Sequence, residues 1–326
     1  METRALVKEE RSVPDAPTSF VNMSVNLAGI AMRNPINTAS GTFGYGSEYA
    51  GLVPMEKLGG ITVKGVSPFP SHGNRTPRTC EVAGGMLNAI GLQNPGIDKF
   101  INHADYLPFL RQLDTCIFVN IWGKTLEDYV EVARRLDAER EGIDCLEINI
   151  SCPNIKEGGI SFGTNLKQAH AVVKAVREAT TLPLSTKLSP NVTSIADFAK
   201  AVTDAGSDML SLINTYPAMA IDIETRRPRI ANVTGGLSGH ALKPIAVRMI
   251  HECHQALPHI PIIGMGGIYT AADAIEFMMA GATSVAVGTA IFADPSAPVT
   301  ILEGMEAWLA AHGINDVNEI IGTVEF

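Results

Sequence analysis

Eight short runs rich in aliphatic and β-branched residues recur along the chain, separated by longer amphipathic stretches. This rhythm narrows the possible folds more than any other feature. The runs are "INTAS" (36–40), "GITVKGV" (60–66), "IFVNIW" (117–122), "CLEINIS" (145–151), "PLSTKLS" (183–189), "MLSLINT" (209–215), "IPIIGMG" (260–266) and "SVAVGTA" (284–290). Between them, stretches such as "TLEDYVEVARRLDAERE" and "NLKQAHAVVKAVREAT" repeat apolar residues at helical spacing. Strands that alternate with helices pair in parallel through right-handed crossovers. Eight such units predict an α/β fold, the (β/α)8 TIM barrel. The alternative is a doubly wound open sheet, whose G-x-G-x-x-G mark is missing after the first strand. Ahead of the first unit, "VNMSVNLAGIAMRNPI" predicts an N-terminal hairpin turning at "LAG". Residues 1–21 are polar, mixed in charge and without an apolar signal core, which predicts a mobile tail. Residues 22–326 are then expected to form a single barrel domain.

Two excursions break the rhythm, at about 67–97 and about 216–236. Each follows a strand, so in a barrel both belong to the C-terminal rim, where long loops tend to be functional. The net charge of −9, with no basic stripe, argues against a nucleic-acid partner. No apolar run approaches the ~18 residues of a transmembrane helix. The five cysteines, Cys80, Cys116, Cys145, Cys152 and Cys253, form neither a C-x-x-C pair nor a metal-ligand spacing. Reduced thiols in a cytoplasmic protein, with no metal site, are the expectation.

The strands carry a second pattern. In "LEINIS", Leu146, Ile148 and Ile150 share one face, and Glu147, Asn149 and Ser151 share the other. Thr62 and Lys64 oppose Ile61 and Val63. Ser185, Lys187 and Ser189 oppose Leu184, Thr186 and Leu188, and Asn120 opposes Val119 and Ile121. A barrel strand is covered on both faces, and buried polar groups are costly unless they bind something. Lys64, Asn120, Asn149, Lys187 and Asn214 all fall near the C-terminal ends of their strands and should converge on the barrel mouth. Any one of them could equally be a satisfied structural hydrogen bond. The loops "GMGGI" (264–268) and "AVGTAIF" (286–292) follow the seventh and eighth strands, a frequent phosphate site in such barrels. Glycines there let the backbone approach an anion. Cys152 has two readings, a small buried hydrophobe or a nucleophile or base. Its setting, between Asn149 and Asn154 and ahead of Pro153, singles it out from Cys145 and Cys253.

"LEINISCPN" followed by "IKEGGISFGTN" closely resembles the dihydroorotate dehydrogenases, and within them the catalytic subunit of the NAD-dependent class 1B enzymes. "NTASGTFGYG", "GMLNAIGLQNPG", "KLSPNV", "GGLSGHALKPIA", "GMGGI" and "AVGTAIF" fall in the family's order, from about residue 24 onward. The resemblance implies oxidation of (S)-dihydroorotate to orotate in pyrimidine biosynthesis. Cys152 would take a proton from C5 as a hydride passes from C6 to N5 of FMN. It places Ser40, Lys64, Gly65, Asn120, Asn149, Lys187 and Ile213 around FMN, with Gly239, Gly266, Gly267, Gly288 and Thr289 toward its phosphate. Orotate would be held by Lys64, Asn88, Asn149, Asn154, Asn214 and Thr215. The backbone of Ala89, Ile90, Gly91 and Leu92 would close over it. Gly65 departs from the family pattern, which often has a hydroxyl residue there. The chain lacks the cysteines for an iron–sulfur cluster and a dinucleotide fingerprint. The resemblance therefore implies a partner subunit carrying FAD and [2Fe–2S], and a homodimer core within a heterotetramer. The alternatives are a class 1A-like homodimer that uses fumarate, and a non-catalytic barrel that binds phosphate ligands.

Overall fold

A computed structural model describes residues 21–151 and 162–326. Each of the eight runs forms a strand. They are β3 (Ile36–Thr38), β4 (Gly60–Val66), β7 (Cys116–Ile121), β8 (Cys145–Asn149), β9 (Leu184–Lys187), β10 (Met209–Leu212), β15 (Ile262–Met265) and β16 (Ser284–Val287). All neighbours pair in parallel, in chain order, and β16 closes on β3. The result is a closed (β/α)8 barrel. Apart from β4, the strands stop one to three residues short of the predicted runs at their C-terminal ends, because there the chain leaves the ladder to build the mouth. Asn214 still bonds back through its N–H to the Leu188 carbonyl, at 3.1 Å.

The helices follow from the spacing of their apolar residues. In α3 (Leu126–Ala138) the buried positions are Tyr129, Val132, Ala133 and Leu136. In α4 (Leu166–Ala179) they are Ala169, Val172, Val173 and Val176, and in α5 (Ile195–Asp204) Ile195, Phe198, Ala199 and Val202. All three sets follow the i, i+3, i+4, i+7 pattern of one helical stripe. Thr125, Asn165 and Ser194 cap these helices by accepting from backbone N–H groups in the first turn. The remaining long helices are α6 (Lys243–Ala256), α7 (Ala271–Met279) and α9 (Ala297–Ala311); α1 (Ile97–Asn102), α2 (Leu107–Leu110) and α8 (Ala290–Ala293) are short. No described helix is long and apolar enough to cross a membrane.

The predicted hairpin is β1 (Val25–Leu27) and β2 (Ile30–Met32), turning at Ala28 and Gly29. The Cys116 thiol at the start of β7 lies 3.7 Å from the Ala31 carbonyl, so the hairpin sits at the N-terminal ends of the strands. The opposite end is built by the two excursions. The first forms β5 (Thr79–Val82) and β6 (Gly85–Asn88), and the second forms β11 (Tyr216–Ala218) and β14 (Gly235–Ser238). Sequence alone presents them as separate loops. In the structure they join as one antiparallel sheet in the order β11-β14-β6-β5. Gly85 makes this possible, since a Cβ there would meet the Ser238 carbonyl at 2.0 Å. A small hairpin, β12 (Ile221–Asp222) with β13 (Arg227–Pro228), projects from the second excursion. The excursions leave the barrel after β4 and β10, which are four strands apart either way round the ring. The rim sheet therefore bridges opposite sides of the mouth.

Tyr129 ties a helix to this end of the barrel. Its hydroxyl donates to the Asn149 carbonyl at 2.8 Å, in a buried setting. Tyr129→Phe should lower stability by about 1–2 kcal/mol, the usual cost of leaving one buried carbonyl unpaired. Urea unfolding of the two proteins would measure the difference.

Candidate active site

The C-terminal ends of all eight barrel strands open into one cavity of about 250 Å³. β4 delivers Lys64 and Gly65, β7 Asn120, β8 Asn149 and β9 Lys187. Ser40, Ile213, Asn214 and Thr215 come from the turns after β3 and β10. Gly266, Gly267, Gly288 and Thr289 come from the turns after β15 and β16. The rim contributes Asn88, Ile90, Gly91, Leu92 and Gly239. Every described residue assigned to the site from sequence thus lines the cavity, except Ala89. Ala89 is fully buried beneath the rim sheet with Leu87 and Ile230. Its N–H donates to the Arg78 carbonyl, and its own carbonyl accepts from Asn74. Cys152 and Asn154 lie outside the described residues.

The polar face of the strands forms a connected network. Glu147 is 1% exposed, and its Oε1 accepts from Asn120 Nδ2 at 2.6 Å. Lys187 Nζ stands 3.8 Å from the same carboxylate oxygen and donates to Ser40 Oγ at 3.2 Å. Asn149 Nδ2 donates to Asn120 Oδ1 at 3.4 Å, and Ser151 Oγ donates to Asn149 Oδ1 at 3.1 Å. Asn214 Nδ2 donates to Ser151 Oγ at 2.6 Å. Buried charges persist when they are paired and hydrogen-bonded, and Glu147 is the partner that makes Lys187 tolerable here. Sequence alternation puts Glu147 on the inward face, yet gives it no task. The signal for one is that an inward acid needs a partner.

Local backbone geometry aims these side chains. The pairing of β4 with β7 shifts between Val63 and Val66, a bulge that re-aims Lys64 toward the mouth. A Cβ on Gly41, at φ +89°, would lie 3.3 Å from Lys64 Nζ, so glycine leaves the lysine its space. Gly65 has a similar cause. A Cβ there would approach Asn120 Oδ1 at 2.7 Å and the Trp122 ring at 3.0 Å. The departure from the family pattern thus makes room for Asn120.

The far wall is a glycine cradle. Gly239, Gly266 and Gly267 have φ of +113°, +123° and +91°, which other residues rarely adopt. A Cβ on Gly267 would meet the Lys243 backbone nitrogen at 2.9 Å and the Gly239 carbonyl at 3.0 Å. The turn after β15 therefore rests against the N-terminus of α6. Tyr269 joins this turn to the next by donating to Thr289 Oγ1 at 3.1 Å. Sequence reading did not include Ser238, Thr79, Met86, Leu242 or Phe292, which also line the cavity. Ser238 Oγ is buried and has no hydrogen-bond partner among the described residues.

Three of the four described thiols are quiet. Burial pushes Cys145 well up, Cys253 up to about 12 and Cys116 up to about 11, so all three stay protonated at neutral pH. Among the described residues no cluster of three or more His, Cys, Asp or Glu side chains could hold a metal ion.

A family model of dihydroorotate dehydrogenase matches residues 22–309. The chain belongs to the dihydroorotate dehydrogenase family. It is 57% identical over 303 residues to the "Dihydroorotate dehydrogenase B (NAD(+)), catalytic subunit" of Geotalea uraniireducens, covering 93% of this chain and 98% of that one. The protein of the same name in Geobacter sulfurreducens is 57% identical over 304 residues, with the same coverage. That of Alkaliphilus oremlandii is 54% identical over 302 residues, covering 92% and 98%.

The cradle is braced by an ion pair. Lys243 Nζ contacts Asp273 Oδ1 and Glu276 Oε2, both at 2.8 Å. Asp273 also accepts from the Tyr269 and Thr270 N–H groups and so caps α7. Burial alone would raise its carboxyl. The Lys243 hydrogen bond and these N–H groups outweigh that and hold it below the usual carboxylate range. A lowered folded value means the brace contributes stability above the unfolded carboxylate value of about 4, and loses it as pH falls through the folded value. Asp273→Asn should melt lower than the parent at pH 7, and the gap should close on acidification below about pH 4. Melting temperatures of both proteins from pH 7 to pH 3 would check this.

Proposed function

We propose that this chain is the catalytic subunit of an NAD-linked dihydroorotate dehydrogenase that oxidises (S)-dihydroorotate to orotate in pyrimidine biosynthesis. The chain is an oxidoreductase of that family and a flavoprotein. The observation that carries the reading is the convergence of two lysines and four asparagines on one cavity, in a member of this family. Residues 22–326 act as one FMN-binding barrel domain in the cytoplasm.

The residues present fit FMN. A phosphate suits the cradle of Gly239, Gly266 and Gly267, where the N-terminus of the 14-residue α6 stands beside backbone that no Cβ blocks. The buried Ser238 hydroxyl, without a partner among the described residues, adds a donor in the same wall. Ser40, Lys64, Gly65, Asn120, Asn149, Lys187 and Ile213 form the floor for the flat ring, and Gly288 and Thr289 close the phosphate side. When bound, FMN accepts the hydride that leaves C6 of dihydroorotate.

The remaining chemistry belongs to the chain. Lys64 holds the substrate carboxylate as a point charge. Asn88, Asn149 and Asn214, which line the cavity, suit its amide edges, since an amide both donates and accepts, and the family resemblance assigns Asn154 the same role. Thr215 and the segment Ala89–Leu92 close the site from the rim, Ala89 through the fold of its segment rather than by contact. Cys152 removes the C5 proton as general base. The paired Glu147 and Lys187 charges are held in place by Asn120 and Ser40.

Electrons leave through a second subunit that carries FAD and [2Fe–2S] and reduces NAD, around a homodimeric core. The rim excursion at 216–236 offers that partner a face. Met219, Ile221 and Ile223 there are 47%, 56% and 82% exposed.

Two experiments test this reading. Cys152→Ala should keep its flavin and reduce it with dihydroorotate about 10²-fold more slowly, the usual scale for losing a general base. Stopped-flow absorbance of the bound flavin at neutral pH reads the rate, and near-parental reduction would remove Cys152 from the mechanism. The isolated chain should reduce artificial acceptors with dihydroorotate but form NADH poorly until the FAD/iron–sulfur subunit is added. Brisk NADH formation by the chain with FMN alone would contradict the need for a partner. Turnover with fumarate would point to the partnerless type of enzyme.

A further inference from the structure

The side-chain hydrogen bonds that lead from Asn214 to Glu147 all run the same way. Asn214 donates to Ser151, Ser151 to Asn149, Asn149 to Asn120 and Asn120 to Glu147. Both ends of this chain are fixed by chemistry. At one end the Thr215 backbone N–H, which can only donate, gives its hydrogen to Asn214 Oδ1 at 2.7 Å. At the other end the Glu147 carboxylate, paired with Lys187 Nζ at 3.8 Å, serves as the acceptor. An amide turned round anywhere between them would set donor against donor or acceptor against acceptor, in a buried setting where unmade bonds are costly.

We propose that Glu147 is a positioning residue, the accepting terminus of a one-way hydrogen-bond relay that fixes which atoms of Asn120, Asn149 and Asn214 the cavity presents. It rests on the reading that this mouth holds FMN and orotate. Each of the three amides commits one N–H and at least one lone pair to the relay, and each keeps a second N–H. The mouth is therefore biased to donate, which suits a carbonyl-rich anion. Glu147 also sets the field under the flavin. It balances Lys187, which lines the cavity while Glu147 lies behind it.

The two effects separate by mutation. Glu147→Gln removes the negative charge and supplies a terminus that can donate as well as accept. Orotate should bind about tenfold more weakly or worse, on the scale of one charge-assisted hydrogen bond. The midpoint potential of the bound flavin should move positive, because a negative charge that opposes added electrons is gone. Ser151→Ala cuts the relay at another link and leaves the charges alone. Orotate binding should weaken in the same sense with the potential unchanged. A residue that only supported the fold would not divide the readouts in this way.

The experiment uses the full chain with its flavin. Isothermal titration with orotate gives the affinity, and spectroelectrochemical titration gives the potential, for the parent and both variants. Orotate affinity in Ser151→Ala equal to the parent's would overturn the relay, even if Glu147→Gln fails to fold. A folded Glu147→Gln with parental affinity and potential would overturn it as well. A parent chain that takes up no FMN or binds no orotate would overturn the underlying functional reading instead.

Discussion

Glu147 and Lys187 stand inside a barrel whose outer strand faces are packed with aliphatic side chains, and the rest of the mouth is arranged around that pair. Two opposite charges 3.8 Å apart still need their other hydrogen-bonding positions filled. Asn120 serves the carboxylate and Ser40 the ammonium. Asn149, Ser151 and Asn214 follow in turn. The strands can carry so many polar residues inward because Leu146, Ile148, Leu184 and Leu210 on their outward faces are fully buried against the helices. The alternation of the β-strand thus divides labour, with cohesion outside and chemistry inside.

Much of this was legible in the sequence, and the reason is periodicity. A period of two in "LEINIS" and of 3.6 in the helices reads directly as facing, so the barrel and its converging polar residues follow from local patterns. The rim sheet did not follow. Its strands are three or four residues long and mostly half-exposed, and the central pair, β6 with β14, joins segments well over a hundred residues apart. Nothing local encodes such a pairing. Ala89 shows the same limit. Its segment lines the site, but the register of β6 with β14 turns this one residue down into the small cluster with Ile230.

Glycine placement accounts for several features that residue type alone leaves unexplained. Gly65 reads as a missing hydroxyl when set against the family, and as a solved steric problem beside Asn120 and Trp122. Gly267 combines a left-handed backbone with a close approach to α6. In both places the absent side chain positions something else, a side-chain amide in one case and a helix terminus in the other. Glu147 is the complementary case. Its face is predictable, but its partners become visible only once β7, β8 and β9 lie side by side.

The bridge across the mouth also bears on how such a protein changes over generations. An ordinary barrel loop starts and ends on neighbouring elements and can drift alone. Here Leu87 lies opposite Leu237 and Asn88 opposite Gly236, so each half of the bridge is the template for the other. An insertion on one side shifts the register of both and moves the cavity roof with it. The two rim segments therefore form a single heritable unit split across the chain. Substitutions that remodel the roof should arise as matched pairs, while the outer helices vary independently.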